Sequence, residues 1–493
     1  MGELYQKGDI LSIPEMEALE RTLKSWHEGR EFEGPGGFQA FERRVHKALA
    51  NLECTIIGSA IKDLDVDCPE IEVGGRVYRK AYRSSQTYCG LSGEFVIERN
   101  LYQPIEKPGP SICPLDYRAG IIEGTWTPGA GELMAYSVAV MTPYEAEDFF
   151  QKVGGMTPSR SSLELLPKDI SQKWEEKRVQ WEEAVRSRET LPAGAATVAI
   201  SLDGVMTPMK GGQRLEKRAK AKEEGKRTRG PAGFQEASCG TLSLHDKDGE
   251  RLKTVYYGRM PETKKGVLSD QLDREAASLL GARPELKVVL LADGAKENWR
   301  ILGGIVEKCL SDGILTEDSN IYEITDFYHA CEHLKIVTDL YYGENSLASR
   351  CCFEKLKIIL EEEEDGVSRV IRKIMYFRNR SRRHRRKKLT TELNYFRKRK
   401  ASMNYAEFAK LNLPIASGVV EAACKTLVTQ RLKRSGMRWT IKGGQSVLSL
   451  RSLLKSDRWD SGWGLIRKSY EAQISMVTKK GHLSLIQPMA KAA

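Results

Sequence analysis

AATVAISLDGV (195–205) decides how the fold reads. A run of small, aliphatic and β-branched side chains ends at Asp203–Gly204, which predicts a buried strand closing on a carboxylate. LKVVLLADGA (286–295) repeats the pattern and ends at Asp293–Gly294. Between them, CGTLSLHDKDGERLKTVYYGRM (239–260) offers two strands around the turn residues DKDG, so a hairpin is expected. KENWRILGGIVEKCL (296–310) has helical spacing, and NIYEITDFYHACEHL (320–334) reads as a strand entering a helix. Strand, hairpin, strand, helix, strand predicts a mixed sheet with crossover helices. A third acid, Glu421, lies in the alanine-rich, helical SGVVEAACKTLV (417–428).

Most of the 67 acidic residues must be solvated surface. Asp203, Asp293 and Glu421 differ in lying among small and apolar residues, and Gly204 and Gly294 permit close backbone approach. Two strand-end carboxylates and one helix carboxylate offer hard oxygen ligands suited to Mg2+. A pair of ions about 3.5–4 Å apart activates a water or 3′-hydroxyl and stabilises the leaving oxygen of a phosphodiester.

SLDGV, LADGA, DFYHACEHL and GVVEAACKTLVTQRLKRSGMRW, in that order, resemble the DDE transposases of bacterial insertion sequences. The resemblance is to the Mutator-like superfamily, closest to the Kra type, over roughly residues 195 to 455. It implies an RNase H-like mixed-sheet core whose catalytic metal ligands are Asp203, Asp293 and Glu421. The D-x-x-H pair, Asp326 and His329, then has a supporting role and does not bind metal. The implied cofactor is Mg2+, with Mn2+ able to substitute. The partners are double-stranded DNA, as transposon ends and as target, and further copies of the chain assembled on it.

Lys and Arg total 78, giving a net charge of +11 and a pI near 9.0, which favours a polyanionic partner. Ten scattered cysteines form no disulfide framework. No charged leader precedes an apolar run, and no apolar stretch approaches the ~18 residues of a membrane span, so a reducing cytoplasm and no membrane partner are expected. Related transposases often carry a zinc ribbon in the N-terminal region; here Cys68, Cys89 and Cys113 lack any C-x-x-C, and structural zinc is not expected.

The expected organisation is an α/β protein whose RNase H-like core carries an all-α insertion and follows a helical and small-β N-terminal region. Residues 1–165 form the N-terminal DNA-binding region: helices over 14–61, a small antiparallel sheet over 68–105, then short helices that hold either a helix-turn-helix reader or a plain packing bundle. A charged, solvated helical linker fills 166–194. The core begins at 195–344, with a solvated basic loop over 210–233. It is interrupted by a helical insertion at 345–415 and closed by a helix at 416–455 carrying Glu421, with a tail at 456–493. The 128 residues between Asp293 and Glu421, against 90 between the aspartates, require that insertion.

Inside the insertion, RNRSRRHRRKKL (378–389) is the densest basic run. Its Arg378, Arg380, Arg382, Arg383, Arg385, Arg386, Lys387 and Lys388 are expected to contact phosphates, as are Lys425, Arg431, Lys433, Arg434 and Arg438 beyond Glu421. Lys425 has the alternative of pairing with Glu421 at i,i+4, and Trp439 that of packing in the core. The function expected is binding of terminal inverted repeats, 3′-end hydrolysis and strand transfer. The alternatives are an RNase H-like nuclease that cuts without joining, and a non-catalytic domesticated DNA-binding protein.

Overall fold

The computed structural model describes residues 14–28, 35–106, 108–210, 213–226, 233–477 and 483–485. The fold is mixed α/β. The described strands, in chain order, are β1 (Glu70–Val73), β2 (Arg76–Gly90), β3 (Gly93–Pro104), β4 (Thr197–Pro208), β5 (Phe234–His245), β6 (Arg251–Arg259), β7 (Lys287–Ala292), β8 (Ile321–Thr325), β9 (Ile474–Val477) and β10 (Leu483–Leu485). They form two five-stranded sheets. Two compact units result, one of residues 1–178 with 460–493, the other of residues 179–459. Among the described residues no helix is long and apolar enough to cross a membrane.

The first unit opens with helices Pro14–His27 and Pro35–Lys62, as helical periodicity predicts; residues 29–34 lie outside the described residues. Its sheet is antiparallel, ordered β10-β9-β1-β2-β3. The segment expected as a tail thus supplies two strands, and Ile474 is buried in a small cluster with Ile71 and Tyr102. Helices Pro128–Val140 and Pro143–Val153 follow, joined through the Thr142 capping box. They offer no basic face: the second carries Glu145, Glu147 and Asp148 against Lys152, which a phosphate backbone would repel. Helix Arg160–Glu176, and helix Arg178–Arg186 with which the second unit begins, replace the expected solvated linker. Ile170 and Trp174 in the first, and Trp181 and Val185 in the second, are buried apolar residues at helical spacing.

In the second unit the sheet order is β6-β5-β4-β7-β8. β5 is antiparallel to β4 and β6, whereas β4, β7 and β8 are mutually parallel. The β5–β6 hairpin turns at DKDG as expected. Of the basic stretch 210–233, Gln213–Glu223 is a helix rather than a loop, and 211–212 and 227–232 lie outside the described residues.

Strand alternation distributes the core. Val198, Ile200, Leu202, Val288, Leu290 and Ala292 face helices Gly266–Ala282 and Lys296–Ser311. Ala199, Val289, Leu291 and Ile324 face the other way, against helices Phe327–Tyr342, Leu347–Glu362, Gly366–Arg380, Arg383–Lys398 and Tyr405–Lys410. The insertion is therefore the second layer of the sheet, sharing its core. Further along this face, β5 contributes Ala237 and Cys239 to a cluster with Val420, Ala423, Cys424, Leu427, Val428, Val447 and Leu448. The expected closing helix is divided: helix 418–432 contains a π-helical stretch, Cys424–Thr429, and a separate helix spans Ile441–Lys455. Buried Arg451 donates to the carbonyls of Leu427 (3.0 Å) and Thr426, both within that π-helical stretch.

Candidate active site

Asp203 and Asp293 are neighbours. Leu202 pairs in parallel with Ala292, so the next residue on each strand is an aspartate, and strands lie ~4.8 Å apart. Odd-numbered positions of β4 and β7 face the layer made by the insertion and helix 418–432, so both carboxylates enter the seam between those elements. β4 does not stop at Asp203 as the sequence suggests. Its antiparallel pairing with β5 continues to Pro208, and the parallel pairing with β7 is what ends. Gly204 makes no turn; a Cβ there would lie 2.2 Å from Glu236 Oε1, so the glycine leaves room for the Glu236 side chain as it is placed here.

Asp203 Oδ1 accepts from the Gly204 N–H (2.7 Å), and among the described residues Oδ2 receives only the thiol of Cys424, at 3.6 Å. Burial pushes the Asp203 carboxyl above its ordinary pKa. The Gly204 N–H and Cys424 oppose that, and the negative charges of Asp293 and Glu421 add to it. Glu421 itself is exposed, on helix Gly418–Ala423. The Cys424 thiol is pushed up by its hydrogen bond to Cys239, then by burial and by Asp203.

Asp293 Oδ1 accepts from Ala295 N–H (3.0 Å) and Asn298 Nδ2 (3.2 Å), and Trp299 Nε1 donates to the Asp293 carbonyl (2.7 Å). Asn298 in turn reaches Leu202 O (3.4 Å) and accepts from Lys265 Nζ (2.9 Å). Lys265 is 8 % exposed and also pairs with Glu236 at 2.9 Å. Lys264 and Lys265 both have positive φ, 54° and 51°, a conformation costing on the order of 1–3 kcal/mol per residue.

The insertion closes the other side. Arg399 donates to Gly294 O and stacks over Tyr395 at 4.8 Å. A Cβ at Gly294 would meet Tyr395 Cε2 at 3.3 Å. The Tyr395 hydroxyl is buried without a hydrogen-bond partner; burial raises its pKa, and Asp326 and Asp293 add to the shift. A cavity of about 500 Å³ opens beside Trp299, Tyr322, Lys398, Arg399 and Phe408.

Asp326, 3 % exposed, ends β8 and caps the next helix, accepting from His329 N–H at 2.5 Å. Its other oxygen accepts from Ser417 N–H, and Phe327 N–H donates to Ile415 O at 3.0 Å, so it also anchors the approach to Glu421. The D-x-x-H spacing is thus a helix N-cap. The His329 ring faces Glu332 (3.3 Å) and packs edge-on against His333, which is stacked on Tyr395 at 3.7 Å.

Arg380, Arg382, Arg383, Arg385, Arg386, Lys387 and Lys388 are exposed and Arg378 is half-buried; among the described residues none has a carboxylate partner. Arg380 reaches Tyr376. Beyond Glu421, Lys425, Lys433 and Arg438 are exposed, and Arg434 is half-buried with Nε on Gln430 O. Lys425 makes no ion pair with Glu421. Arg431 departs from expectation: it is 1 % exposed, 5.4 Å over the Trp439 ring, and cannot reach a phosphate in this conformation. It continues the apolar stripe Val420, Cys424, Leu427, Val428, a period that was readable in the sequence. Trp439 is half-buried and packs against the cluster around Val420 and Leu427, donating to Leu432 O at 2.8 Å.

Among the described residues no group of three or more His, Cys, Asp or Glu side chains is arranged to hold a metal ion. The donor chemistry nevertheless fits a divalent cation. Asp203 is desolvated, Asp293 and Glu421 are close enough to raise it further, and among the described residues Oδ2 of each aspartate has no strong donor. No protein-family model and no curated protein matches this chain.

Proposed function

We propose that the chain is a DDE transposase with an RNase H-like core, which binds the ends of its own element, hydrolyses their 3′ ends and joins them to target DNA. One observation carries this reading: Asp203 and Asp293 stand side by side where the parallel pairing of β4 and β7 ends, and Glu421 is near enough to raise the Asp203 carboxyl. The sheet order supports it, with a three-strand antiparallel meander followed by two parallel crossover strands.

In this reading Asp203, Asp293 and Glu421 hold the metal. Mg2+, or Mn2+ in its place, supplies Lewis acidity that activates a water or terminal 3′-hydroxyl and stabilises the leaving oxygen. Asp203 and Asp293 each present Oδ2 while the other oxygen is held by backbone N–H groups. Asp326 fixes the approach to Glu421, and the layered helices exclude water from one side of the carboxylates. The unpaired cations of 378–388 hold the DNA backbone. Bringing two ends together requires at least two copies of the chain.

The test is strand cleavage and transfer on DNA carrying whatever short inverted repeats are found to bracket the gene. Wild type should join pre-cleaved ends in Mg2+, whereas Asp203→Asn, Asp293→Asn and Glu421→Gln should bind those ends and do neither reaction. Cutting without joining would make the chain a nuclease. Binding with no chemistry by the wild type would make it a DNA-binding protein.

A further inference from the structure

We propose that Lys265 and Asn298 are positioning residues for the metal site: a lysine–amide relay that locks the Asp293 carboxylate with Oδ1 turned inward and Oδ2 turned to the seam. This rests on the metal-dependent reading above. Both side-chain and backbone donors to Asp293, Asn298 Nδ2 at 3.2 Å and Ala295 N–H at 3.0 Å, reach the same oxygen, Oδ1. Among the described residues Oδ2 receives no hydrogen bond.

Asn298 is 3 % exposed, and its orientation is not free. Its oxygen accepts from Lys265 Nζ at 2.9 Å, so its NH2 must point at Asp293 and at Leu202 O, the residue before Asp203. One amide thereby ties Asp293, just past β7, to the β4 backbone immediately before Asp203. An ammonium can only donate, so Lys265 dictates which end of the amide is the donor. A rotated Asn298 would set its oxygen against the carboxylate.

The backbone gives independent support. Lys264 and Lys265 are successive left-handed residues, although lysine gains nothing from that conformation by itself. The kink carries the Lys265 side chain into the interior at the N-terminus of helix Gly266–Ala282, where Glu236 and Asn298 are its partners. Strain held at a buried ammonium next to a carboxylate cluster is a feature that folding alone does not require.

The proposal predicts a sign opposite to simple electrostatics. Removing a cation beside carboxylates should tighten the binding of a divalent cation by Coulomb's law, whereas removing an orienting group should weaken it. The probe is Mn2+ titrated into the full chain without DNA, followed by loss of the free-ion electron paramagnetic resonance signal. Melting temperatures of every variant are recorded. Lys265→Met, which keeps the aliphatic stem, should weaken Mn2+ binding about 10- to 100-fold, the range usual for groups that orient metal ligands. Lys265→Arg should restore much of it. Lys264→Met, which removes the neighbouring exposed ammonium, gauges the Coulomb effect alone and should leave affinity unchanged or slightly tighter. Asn298→Ala should match Lys265→Met, and serves in its place if that variant melts early.

Folded Lys265→Met and Asn298→Ala proteins that bind Mn2+ as tightly as wild type, or more tightly, would overturn the proposal while leaving the metal site standing. Wild type that binds no Mn2+, or Asp293→Asn that binds as wild type does, would instead remove the metal reading and this inference with it.

Discussion

Replacing Arg382, Arg383, Arg385 and Arg386 together by Gln should flatten the salt dependence of DNA binding without unfolding the protein. All four are exposed at the start of helix Arg383–Lys398, and none is engaged by a carboxylate, so their charge is available to phosphates. Each phosphate contact contributes about 0.9 to the slope of log affinity against log salt on duplex DNA, so four contacts lower it by about 3.6. Between 50 and 200 mM salt the wild type should then lose about 150-fold more affinity than the variant. Helix packing rests on Leu389, Leu393 and Phe396, all fully buried, so the substitutions remove no core volume. Surface changes of this kind shift stability by about 0.5 kcal/mol or less each. The assay is fluorescence anisotropy of labelled terminal-repeat duplex over a salt series, with a melting curve for each protein. An unchanged slope in a folded variant would refute the reasoning and move the DNA path to Lys425, Lys433 and Arg438.

Arg458→Ala should destabilise the second unit by about 3–5 kcal/mol in denaturant unfolding, because it strands buried partners: Arg458 bonds Glu189 at 2.8 and 2.7 Å, Glu275 at 3.0 and 2.6 Å, and Tyr257. Asp326→Ala should cost about 0.5–2 kcal/mol as a lost helix cap and, by releasing Ser417, reduce cleavage while DNA affinity holds. His245 joins Ser243 Oγ and Gly249 O across the hairpin, and burial lowers its pKa below 6.5. The neutral form is thus preferred in the folded chain, so its contribution is fully present above pH 6.5 and is lost as pH falls toward the folded pKa. Amide exchange in β5 and β6, corrected for intrinsic rate, should quicken over that window, and His245→Gln should abolish the pH dependence.

The sheet was legible because its strands are continuous β-branched and aliphatic runs between turn residues, and such runs leave little choice of element. Asp203 and Asp293 were legible for the same reason, since each follows a buried run directly. The groups behind Asp293 were not: Asn298 reaches Asp293 and Lys265 reaches Asn298, and no local pattern marks a side chain whose partner is 33 residues away. Tyr395 and Arg399, from the insertion, were missed likewise. Asp326 and His329 were found by their spacing, but the spacing reports a helix cap. Charge alone groups Arg431 with its basic neighbours, although its place on the apolar stripe indicates burial. β9 and β10 are too short for alternation to stand out, and β9, on which β10 pairs, itself pairs with a strand some 400 residues earlier in the chain.

The most direct measurement is the anomalous difference density of crystals soaked in Mn2+. The account predicts one or two peaks in the seam, with carboxylate oxygens of Asp203, Asp293 and Glu421 at about 2.1 Å, and the loss of those peaks in Asp293→Asn. Ordered carboxylates with no peak between them, or an ion bound elsewhere with Glu421 out of reach, would contradict it.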